Sequence, residues 1–353
     1  MTYYPVLIPT LNRYQHFKEC VESLAACTHA DKTELVIGLD YPPAEKYVEG
    51  WKKIKEYIPT IIGFAKITVF EHSYNLGARS NMLFLCDYGF EHYDATIRSE
   101  DDNIFSPSFL DYMNKCLDKY KDDKSIFAIS GYMQPVRWSD QLKTDSNVIH
   151  IQEYMAYGIA NWKDRFEQRN QLVPKNYLKY ICANKTRLYK LRHKSLRDLY
   201  QLIFWIKNKP ELDCPNDFTI ACALKINNLC VISPILSLVK NNGFDGSGEN
   251  CSYDEIKYER YSLQEISKEK EFNIKDKMSN QELKQYVKSF ENYINSEYGN
   301  NFTKRAKKQV LWLYYLYMIF GYNLGEKIND LLIRFWRFIY NLIQKFKKYY
   351  ICI

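Results

Sequence analysis

The stretch ATIRSEDDNIFSPSF, residues 95–109, combines an apolar strand pattern, a cluster of acids and the signals that begin a helix. Ala95–Arg98 is predicted to form a short buried strand, and Pro107–Tyr120 a helix. The triplet Glu100–Asp102 between them is unfavourable unless a cation offsets the repulsion of its carboxylates. Hard divalent cations such as Mg²⁺ and Mn²⁺ take carboxylate oxygens and often share them with a substrate's phosphates. The triplet is interpreted as a metal site. The alternatives are a solvated loop or the N-cap of the following helix, although Ser106 is better suited than the acids to be that N-cap.

Outward from this stretch, the first 130 residues alternate between short apolar strands and segments with helical spacing. The predicted strands are Tyr3–Ile8, Glu34–Leu39, Lys66–Phe70, Ala95–Arg98 and Ile126–Ser130. The predicted helices are Arg13–Ala26, Ala44–Tyr57, Ala78–Tyr88 and Pro107–Tyr120. This alternation predicts βαβ units, and so an α/β fold with a mainly parallel sheet flanked by helices. Ligands of such sheets bind at the carboxyl ends of the strands, where Pro9–Arg13, Asp40 and Ser99–Asp102 are expected to lie.

The composition of the 353-residue chain is that of a folded protein, with 46% hydrophobic and 26% charged residues. Aromatic residues are frequent at 16%, which leaves rings for stacking on a ligand as well as for the core. The formal net charge is +7, and residues 301–353, with ten Lys and Arg against two acids, hold the whole excess. Because the basic excess is confined to one end, we expect no nucleic-acid partner.

The ten cysteines include no C-x-x-C pair, so a structural zinc site of the finger or ribbon type is not expected. The sequence starts with a strand pattern rather than with the basic segment and apolar run of a signal peptide. We therefore expect reduced thiols in a cytoplasmic protein.

The basic end of the chain has an organised pattern. Residues 310–322 form an uncharged run of thirteen residues, shorter than the ~20 that a helix needs to span a bilayer. After Gly325, a helical wheel separates an apolar face from a polar, mostly basic one. The apolar face contains Leu331, Leu332, Phe335, Trp336, Phe338, Ile339, Leu342, Ile343 and Phe346. The polar face contains Arg334, Arg337, Asn341, Gln344, Lys345, Lys347 and Lys348. This pattern is typical of a helix lying on anionic lipid, here at the inner face of the cell membrane; the alternative is a helix packed on the core of the protein.

Several segments together resemble the glycosyltransferases of the GT-A fold, in the order in which that family has them. The matching segments are Pro5–Arg13, Asp40, Asn75–Asn81, the acidic triplet with its trailing Ser-Pro-x-Phe, Tyr157–Phe166 and Asn241–Gly248. The triplet is similar to the metal motif of the inverting N-acetylglucosaminyltransferases, and the last two segments resemble parts of bacterial family 2-like transferases. The resemblance covers roughly residues 3–250.

The resemblance implies a role for each residue of a nucleotide site. The residues implied to contact the nucleotide are Thr10, Arg13, Asp40, Arg79, Glu100 and Asp101. Asp102 is implied to be the principal ligand of Mn²⁺ or Mg²⁺, which would stabilise the leaving nucleoside diphosphate. No histidine stands in the late segment where many related enzymes supply a further ligand. Asp40 has the alternative role of a helix cap or turn residue, and Arg79 that of a surface arginine.

Inversion of the anomeric centre needs a base, because a sugar hydroxyl is a poor nucleophile until its proton is removed. Asp217 matches the family's catalytic Asp, although Asn216 stands before it where an acid is common. Its alternative role is the N-cap of the helix Phe218–Leu224, and Asp213 is a nearby competitor as base. No second carboxylate placed to attack the anomeric carbon is apparent, which favours inversion.

Aromatic and glycine residues complete the set of candidates. Tyr157 and Trp162, with Trp138, are candidates for stacking on the acceptor sugar, the alternative being a place in the core. The glycines at 243, 246 and 248 allow close backbone approach or closure of a loop, and a plain surface turn is their alternative.

These features predict a catalytic domain at residues 1–253, with a nucleotide half (1–131) and an acceptor half (132–253). A charged helical connection (254–300) and basic helices (301–353) follow. The expected activity is hexosyl or N-acetylhexosaminyl transfer from a nucleotide sugar, UDP-linked as a first guess, to a glycan or lipid-linked acceptor. One rival is a nucleotidyltransferase acting on a sugar phosphate, which usually has a Gly-rich loop after its first strand. The other is a non-catalytic, membrane-bound carbohydrate-binding protein.

Overall fold

The structure, a computed structural model, describes residues 2–136, 146–208, 216–248, 264–277, 279–298 and 304–350. They belong to two compact units. The first unit, from residues 1–170 and 228–293, contains every described strand, and the second, from residues 171–227 and 294–353, is helical. The domain boundaries predicted at residues 253 and 300 lie outside the described ranges and stay predictions.

Within the described residues, one eight-stranded sheet forms the centre of the first unit. Its strands are β1 (Val6–Thr10), β2 (Glu34–Leu39), β3 (Lys66–Glu71), β4 (Ala95–Arg98), β6 (Ile126–Ser130), β7 (Val148–Ile151), β8 (Ile159–Trp162) and β9 (Cys230–Pro234). A separate antiparallel pair joins β5 (Asn103–Phe105) to β10 (Val239–Asn241). The sheet order is β3-β2-β1-β4-β8-β6-β9-β7. Only β8 and β7 run antiparallel to the other described strands of the sheet, which confirms the predicted α/β fold with a mainly parallel sheet.

The helices connect the strands of the first unit and make up the second. Those that begin in the first unit are α1 (Tyr14–Ala25), α2 (Val48–Tyr57), α3 (Ala78–His92), α4 (Phe109–Tyr120), α5 (Lys163–Leu172) and α10 (Asn280–Tyr298). Those of the second unit are α6 (Tyr177–Cys182), α7 (Lys185–Lys194), α8 (Leu196–Asn208), α9 (Asp217–Asn227), α11 (Lys304–Phe320) and α12 (Tyr322–Tyr350).

Strand periodicity explains why helices cover both faces of the sheet. Successive side chains of a strand point to opposite faces, so Val6 and Ile8 of β1 share one face and Leu7 takes the other. Val6 and Ile8 pack in a buried cluster with Phe17 of α1, and Leu7 packs in a second cluster with Leu85 of α3. Full burial of each such side chain contributes about 1.5–3 kcal/mol to folding. The sheet is therefore held between helices on both sides.

Several predicted boundaries differ from the structure. The first strand begins at Val6, not Tyr3, because Pro5 has no N–H to donate to a ladder. The segment predicted as one helix over Ala44–Tyr57 is a 3₁₀ turn at Glu45–Tyr47 followed by α2. Helix α3 extends to His92, one turn beyond its predicted end.

The prediction that Ser106 caps the helix after the acidic triplet is wrong. Helix α4 begins at Phe109, and its N-cap residue is Ser108, which makes no side-chain capping hydrogen bond. The hydroxyls of Ser106 and Ser108 lie 3.2 Å from each other, and the carbonyl of Ser106 accepts the N–H of Phe109 at 2.9 Å. Because a 3₁₀-type turn satisfies this N–H, the helix starts two residues later than Pro107 suggests.

The second unit contains a buried ion cluster. Asp198 of α8 is fully buried, and Lys225 of α9 places its Nζ 2.8 Å from Oδ2 of Asp198. Arg197 donates its Nε to Oδ1 at 2.7 Å. Burial raises the pKa of Asp198, but the charges of Lys225 and Arg197 lower it below its usual range. Removing one partner would leave an uncompensated charge in the interior, so this cluster stabilises the contact between α8 and α9.

Helices α11 and α12 form a hairpin that turns at Gly321, whose φ of +77° favours glycine. Tyr317 of α11 donates its hydroxyl to Glu326 of α12. Among the described residues, no helix combines the length and the apolarity that crossing a membrane requires.

Candidate functional site

The carboxyl ends of β1 and β4 lie side by side, because these strands are parallel neighbours that pair Leu7 with Arg98. The chain leaves β1 through Thr10–Arg13 and leaves β4 through Ser99–Asp102. Both polar segments therefore start at one edge of the sheet, the edge at which ligands of parallel α/β proteins bind.

Arg13 connects the two segments. Its Nη1 lies 2.8 Å from Oδ2 of Asp102, and its Nη2 pairs with Oδ1 of Asp101. Thr10 donates its hydroxyl to Oδ2 of Asp101 at 2.9 Å. One planar guanidinium thus holds two adjacent carboxylates, a geometry that the fork of arginine suits better than the point charge of lysine.

A third segment, which follows β10, closes around Asp102. Asn241 pairs with Asn103 in the antiparallel β5–β10 ladder and donates its side-chain amide to Oδ1 of Asp102 at 2.9 Å. The N–H of Asn242 donates to the carbonyl of Asp102, also at 2.9 Å. Gly243 lies so near that a Cβ there would come 2.0 Å from Oδ2 of Asp102. The backbone can approach the carboxylate this closely only because residue 243 has no side chain.

The same late segment is also attached to α1. Asp245 accepts a hydrogen bond from Nε2 of His16 at 2.9 Å, and Ser247 donates its hydroxyl to Asp245 at 2.6 Å. Burial raises the pKa of Asp245, but the hydrogen bonds from Ser247 and His16 outweigh it and lower that pKa. The glycine-containing segment is therefore fixed at both its ends.

Burial sets the electrostatics of the cluster. Asp101 and Asp102 are only 7% and 5% exposed. Burial raises the pKa of Asp101, and the charge of Asp102 adds to this, while Arg13 acts in the opposite direction. Burial lowers the pKa of Arg13, but the two aspartates more than compensate and raise it above its ordinary value. The acids and the guanidinium stabilise one another, since each alone would be a buried unpaired charge.

Whether a divalent cation fits at Asp102 depends on which groups already contact the carboxylate oxygens. All four carboxylate oxygens of Asp101 and Asp102 already accept hydrogen bonds. The donors are the side chains of Thr10, Arg13 and Asn241. A cation bound to Oδ2 of Asp102 at ~2.1 Å would lie within about 5 Å of Nη1 of Arg13, where the two repel by about 7 kcal/mol at an effective dielectric constant of ~20. Among the described residues, no group of three His, Cys, Asp or Glu side chains is placed to hold a metal ion. The residues present do not fit Mn²⁺ or Mg²⁺ while Arg13 holds both carboxylates.

Asp40, at the end of β2, organises the loop that precedes α3. Its Oδ1 accepts the N–H groups of Tyr41 at 2.9 Å and of Leu76 at 2.8 Å. Its Oδ2 accepts the N–H of Gly77 at 2.9 Å and the side-chain amide of Asn75 at 3.2 Å. Asp40 therefore stabilises the turn before α3, which is one of its predicted alternative roles. Its contact with a nucleotide stays a prediction.

Two further predicted nucleotide contacts lie at this edge of the sheet. Glu100 is half-buried, and its carbonyl accepts the hydroxyl of Ser99 at 2.8 Å. Arg79 is exposed in the first turn of α3, directly after the loop that Asp40 holds. Both roles stay predictions.

The two predicted acceptor contacts have different environments. Trp162 of β8 is 4% exposed, donates its indole N–H to the carbonyl of Leu117 at 3.2 Å, and stacks against Arg165 at 4.1 Å. Tyr157 is half-buried and packs edge-on against Tyr132 with 5.1 Å between ring centroids. Trp162 is thus part of the core, its alternative role, whereas Tyr157 keeps one part of its surface open. Trp138 lies outside the described residues.

Asp217, the predicted base, is half-buried at the start of α9 in the second unit. The cap of this helix is Asn216, whose Oδ1 accepts the N–H of Thr219 at 3.0 Å while Thr219 Oγ1 accepts the N–H of Asn216 at 2.8 Å. The reciprocal pair satisfies the helix start without the carboxylate of Asp217. Asn216, and not Asp217, therefore caps α9. The role of Asp217 as general base stays a prediction. Asp213 lies outside the described residues.

Asn241 is the residue of the site whose role the sequence did not indicate. It stands in the matched segment Asn241–Gly248, but no local pattern shows that its amide reaches a carboxylate 139 residues earlier. An asparagine directly before a glycine-containing loop is the one signal that could have suggested a close approach.

No protein-family model and no curated protein matches the chain. A crystal structure of TarS 1–349 from S. aureus is similar at 10% identity over 92% of this chain and 81% of that one, with a TM-score of 0.42. Another TarS structure from S. aureus shares 12% identity over 69% of this chain, with a TM-score of 0.35, and the match spans only 37% of its length. A mannosyltransferase from Pyrobaculum calidifontis, in complex with GDP-Man and Mn²⁺, shares 14% identity over 64% of this chain and 70% of that one, with a TM-score of 0.34. Since all three similarities are low, the function is inferred from the site.

Proposed function

We propose that the chain is a glycosyltransferase that moves a sugar from a nucleotide-sugar donor to a glycan or lipid-linked acceptor. The observation that carries the proposal is the meeting of three segments at the carboxyl edge of a mainly parallel sheet. There Arg13 joins Asp101 to Asp102, and Asn241 closes on them from the late segment. Buried charged and amide groups held this firmly at the ligand edge of such a sheet are typical of a nucleotide-binding site.

The donor is proposed to bind through groups of both signs. Arg13 is 18% exposed at its side chain, and the aspartates take two of its five N–H donors among the contacts of the described residues. Those that remain suit the diphosphate of a nucleotide sugar, because a guanidinium binds phosphate oxygens in pairs. The proposed contacts to base and ribose are Thr10, Asp40, Arg79, Glu100 and Asp101. UDP is the first nucleotide to test.

The transfer step is proposed to use Asp217 as general base. Its carboxylate takes the proton of the acceptor hydroxyl while that oxygen bonds to the anomeric carbon. The bond from the anomeric carbon to the phosphate oxygen breaks, and its electron pair leaves with the nucleoside diphosphate. The positive charge of Arg13 offsets the charge that develops there. A single displacement of this kind inverts the anomeric centre.

The acceptor is proposed to be presented at a membrane, because α12 exposes several large apolar side chains. Its large apolar side chains that are more than half exposed are Leu331 (64%), Phe335 (56%), Trp336 (66%), Phe338 (62%) and Tyr340 (62%). Arg334 and Arg337 on the same helix are also exposed. Aromatic and cationic side chains side by side suit the headgroup region of an anionic bilayer, here the cytoplasmic face of the cell membrane. The hexosyl or N-acetylhexosaminyl nature of the sugar is part of the same proposal.

The proposal is tested by adding UDP, GDP and their common sugar conjugates to the full chain. A ligand that binds only the folded state raises the unfolding midpoint. We expect at least one nucleotide sugar to raise it by several degrees and to be hydrolysed slowly, with release of the nucleoside diphosphate. Release that is lost in Asp217→Asn, with the midpoint shift retained, would support the assigned roles. Binding without any release would favour a non-catalytic carbohydrate-binding protein, and the absence of any shift would exclude a nucleotide-sugar site.

A further inference from the structure

We propose that Arg13 is the resident cation of the Asp101–Asp102 pair, so that the site binds a nucleoside diphosphate without a divalent metal. This inference rests on the proposed function for its ligand. It goes beyond that function because it replaces the expected Mn²⁺ or Mg²⁺ by a side chain of the protein.

The first argument is the occupancy of the carboxylate oxygens. Nη1 of Arg13 lies 2.8 Å from Oδ2 of Asp102, and the second guanidinium nitrogen pairs with Asp101. The other two carboxylate oxygens accept hydrogen bonds at 2.9 Å, Oδ2 of Asp101 from Thr10 and Oδ1 of Asp102 from Asn241. A metal at one of these oxygens would compete with the donor already bound there, and the most exposed of the donor residues is Arg13 itself.

The second argument is the shape of the wall around Asp102. Its Oδ2 faces Gly243 at a distance that leaves no room for even a Cβ on residue 243. Its carbonyl is held by the N–H of Asn242 at 2.9 Å. The carboxylate is thus enclosed on one side by the backbone, and Arg13 already contacts the same oxygen, Oδ2, at 2.8 Å. A cation that reaches Oδ2 competes with the guanidinium for this oxygen.

The third argument is charge. The two carboxylates and the guanidinium together have a formal charge of −1, whereas two carboxylates alone would have −2 in a nearly dry environment. Arg13 therefore already supplies a cation to the two buried aspartates. The side chain of Arg13 is 18% exposed, and its N–H groups beyond the two bound to the aspartates can donate to a diphosphate.

The test measures Mn²⁺ binding to the full chain by electron paramagnetic resonance, and UDP and GDP binding by calorimetry in EDTA and in Mn²⁺. The variants are Arg13→Gln and Arg13→Lys, with Lys179→Gln as a control that removes one exposed charge on α6. For the wild type we expect nucleotide affinities in EDTA and Mn²⁺ that agree within about twofold, and no Mn²⁺ bound at equimolar concentration.

Arg13→Gln frees the two carboxylates, so it is expected to bind Mn²⁺ at least tenfold more tightly than the wild type does. In EDTA its affinity for the nucleotide should fall at least tenfold, with partial recovery in Mn²⁺. Arg13→Lys keeps a charge beside the acids and remains informative if Arg13→Gln fails to fold; it should stay metal-independent with weaker nucleotide binding. Lys179→Gln should match the wild type.

A wild type that binds UDP or GDP at least tenfold more tightly in Mn²⁺ than in EDTA would overturn the inference and leave the proposed function standing. Tight binding of Mn²⁺ alone to the wild type would overturn it as well. If no nucleotide binds under any condition, the proposed function fails. The Mn²⁺ comparison between wild type and Arg13→Gln then still decides which cation belongs to the acids.

Discussion

Asn241 donates its side-chain amide to Oδ1 of Asp102 over 2.9 Å, across 139 residues of the chain. This bond joins the third segment of the site to the second, because Asn241 ends β10 and Asp102 directly precedes β5, the antiparallel partner of β10. The side-chain oxygen Oδ1 of Asn241 accepts the N–H of Gly243 at 2.9 Å. One side chain therefore positions both the carboxylate of Asp102 and the loop that begins at Gly243. The candidate site is therefore completed only when the late segment has folded onto the early one.

The first prediction concerns this amide. Asn241→Leu removes the donor and leaves an oxygen of Asp102 buried without it, which costs about 1–3 kcal/mol. We expect a lower free energy of unfolding in urea and nucleotide affinity weakened by about tenfold. Asn242→Ala is the matched control, because Asn242 contacts Asp102 through its backbone N–H, which alanine retains. Equal affinities for the two variants would contradict the role given to Asn241.

The second prediction concerns Gly243. In Gly243→Ala the new Cβ would stand 2.0 Å from Oδ2 of Asp102, so the carboxylate or the loop must move. We expect a loss of about 1–3 kcal/mol in stability and a clear loss of nucleotide binding. Gly246 has a left-handed φ of +84°, which asparagine tolerates. Gly246→Asn should therefore keep the stability and the nucleotide affinity of the wild type. Equal losses in the two variants would contradict the role given to the approach of Gly243 to Asp102, because they would show that any substitution in this loop has the same effect.

The third prediction separates catalysis from helix capping in α9. Asp217→Asn should lower kcat by about 10²–10⁴ with KM changed less than threefold, because it removes a general base and leaves the shape of the side chain. Asn216→Ala removes the capping pair with Thr219, so it should lower stability by about 1 kcal/mol and leave kcat within a few-fold. Turnover that survives in Asp217→Asn would remove this residue from the mechanism.

The fourth prediction concerns the pH dependence of stability at the start of β2. Burial raises the pKa of Glu34, but four hydrogen bonds to its carboxylate outweigh this and lower the pKa to about 2. The donors are Thr68 Oγ1 at 2.6 Å, Lys66 Nζ and Tyr88 OH at 2.9 Å, and Tyr93 OH at 2.7 Å. Because the folded-state pKa lies below the ordinary value of 4.5, the stabilisation is complete above that pH and is lost as the pH falls towards about 2.

Glu34→Gln stays uncharged throughout this window. Relative to the wild type, we expect it to lose about 1.5–3 kcal/mol at pH 6 and much less at pH 3, measured by urea unfolding. Glu49→Gln, at an exposed glutamate paired with Lys53 one helical turn away, should show no measurable change at either pH. A loss for Glu34→Gln that is the same at pH 6 and pH 3 would contradict the cause given for the pKa.

The fifth prediction concerns the exposed face of α12. The double variant Trp336→Ser, Phe338→Ser removes two side chains that are 66% and 62% exposed, so folding should be little affected. Sedimentation with vesicles of anionic lipid should fall several-fold, since each aromatic ring buries apolar area in the interface. Arg334→Gln, Arg337→Gln should weaken binding to anionic vesicles and make it less dependent on salt. Sedimentation that none of these changes alters would exclude α12 as the membrane contact.

Much of the fold could be predicted because it depends on local pattern. The strands at Glu34–Leu39, Ala95–Arg98 and Ile126–Ser130 have their predicted ends, since each is a short, largely apolar segment next to polar residues. The rule that the carboxyl ends of parallel strands meet at one edge also predicts that Arg13 and the acidic triplet lie close together, as they do. The starts of helices were harder to predict: Ser106 and Pro107 have the pattern of a cap and a first turn, but a local turn, in which the carbonyl of Ser106 accepts the N–H of Phe109, sets the start of α4 at Phe109.

What could not be predicted depends on which groups meet across long chain separations. The sequence suggested a cation for Glu100–Asp102 and a nucleotide contact for Arg13, but not that these are one interaction. The direction of the Arg13 side chain follows from the packing of two loops, and the amide of Asn241 reaches Asp102 only through the β5–β10 pair. Similarly, the indole of Trp162 points to the carbonyl of Leu117 and so belongs to the core, which its residue type alone does not show.

Hydrogen–deuterium exchange with and without UDP-sugars and GDP-sugars tests the nucleotide site most directly. If the donor binds where we propose, amide exchange slows in residues 9–13, 99–103 and 241–245 together, because the three segments form one site. A nucleotide sugar that binds the chain but protects none of these segments would contradict the assignment of the site.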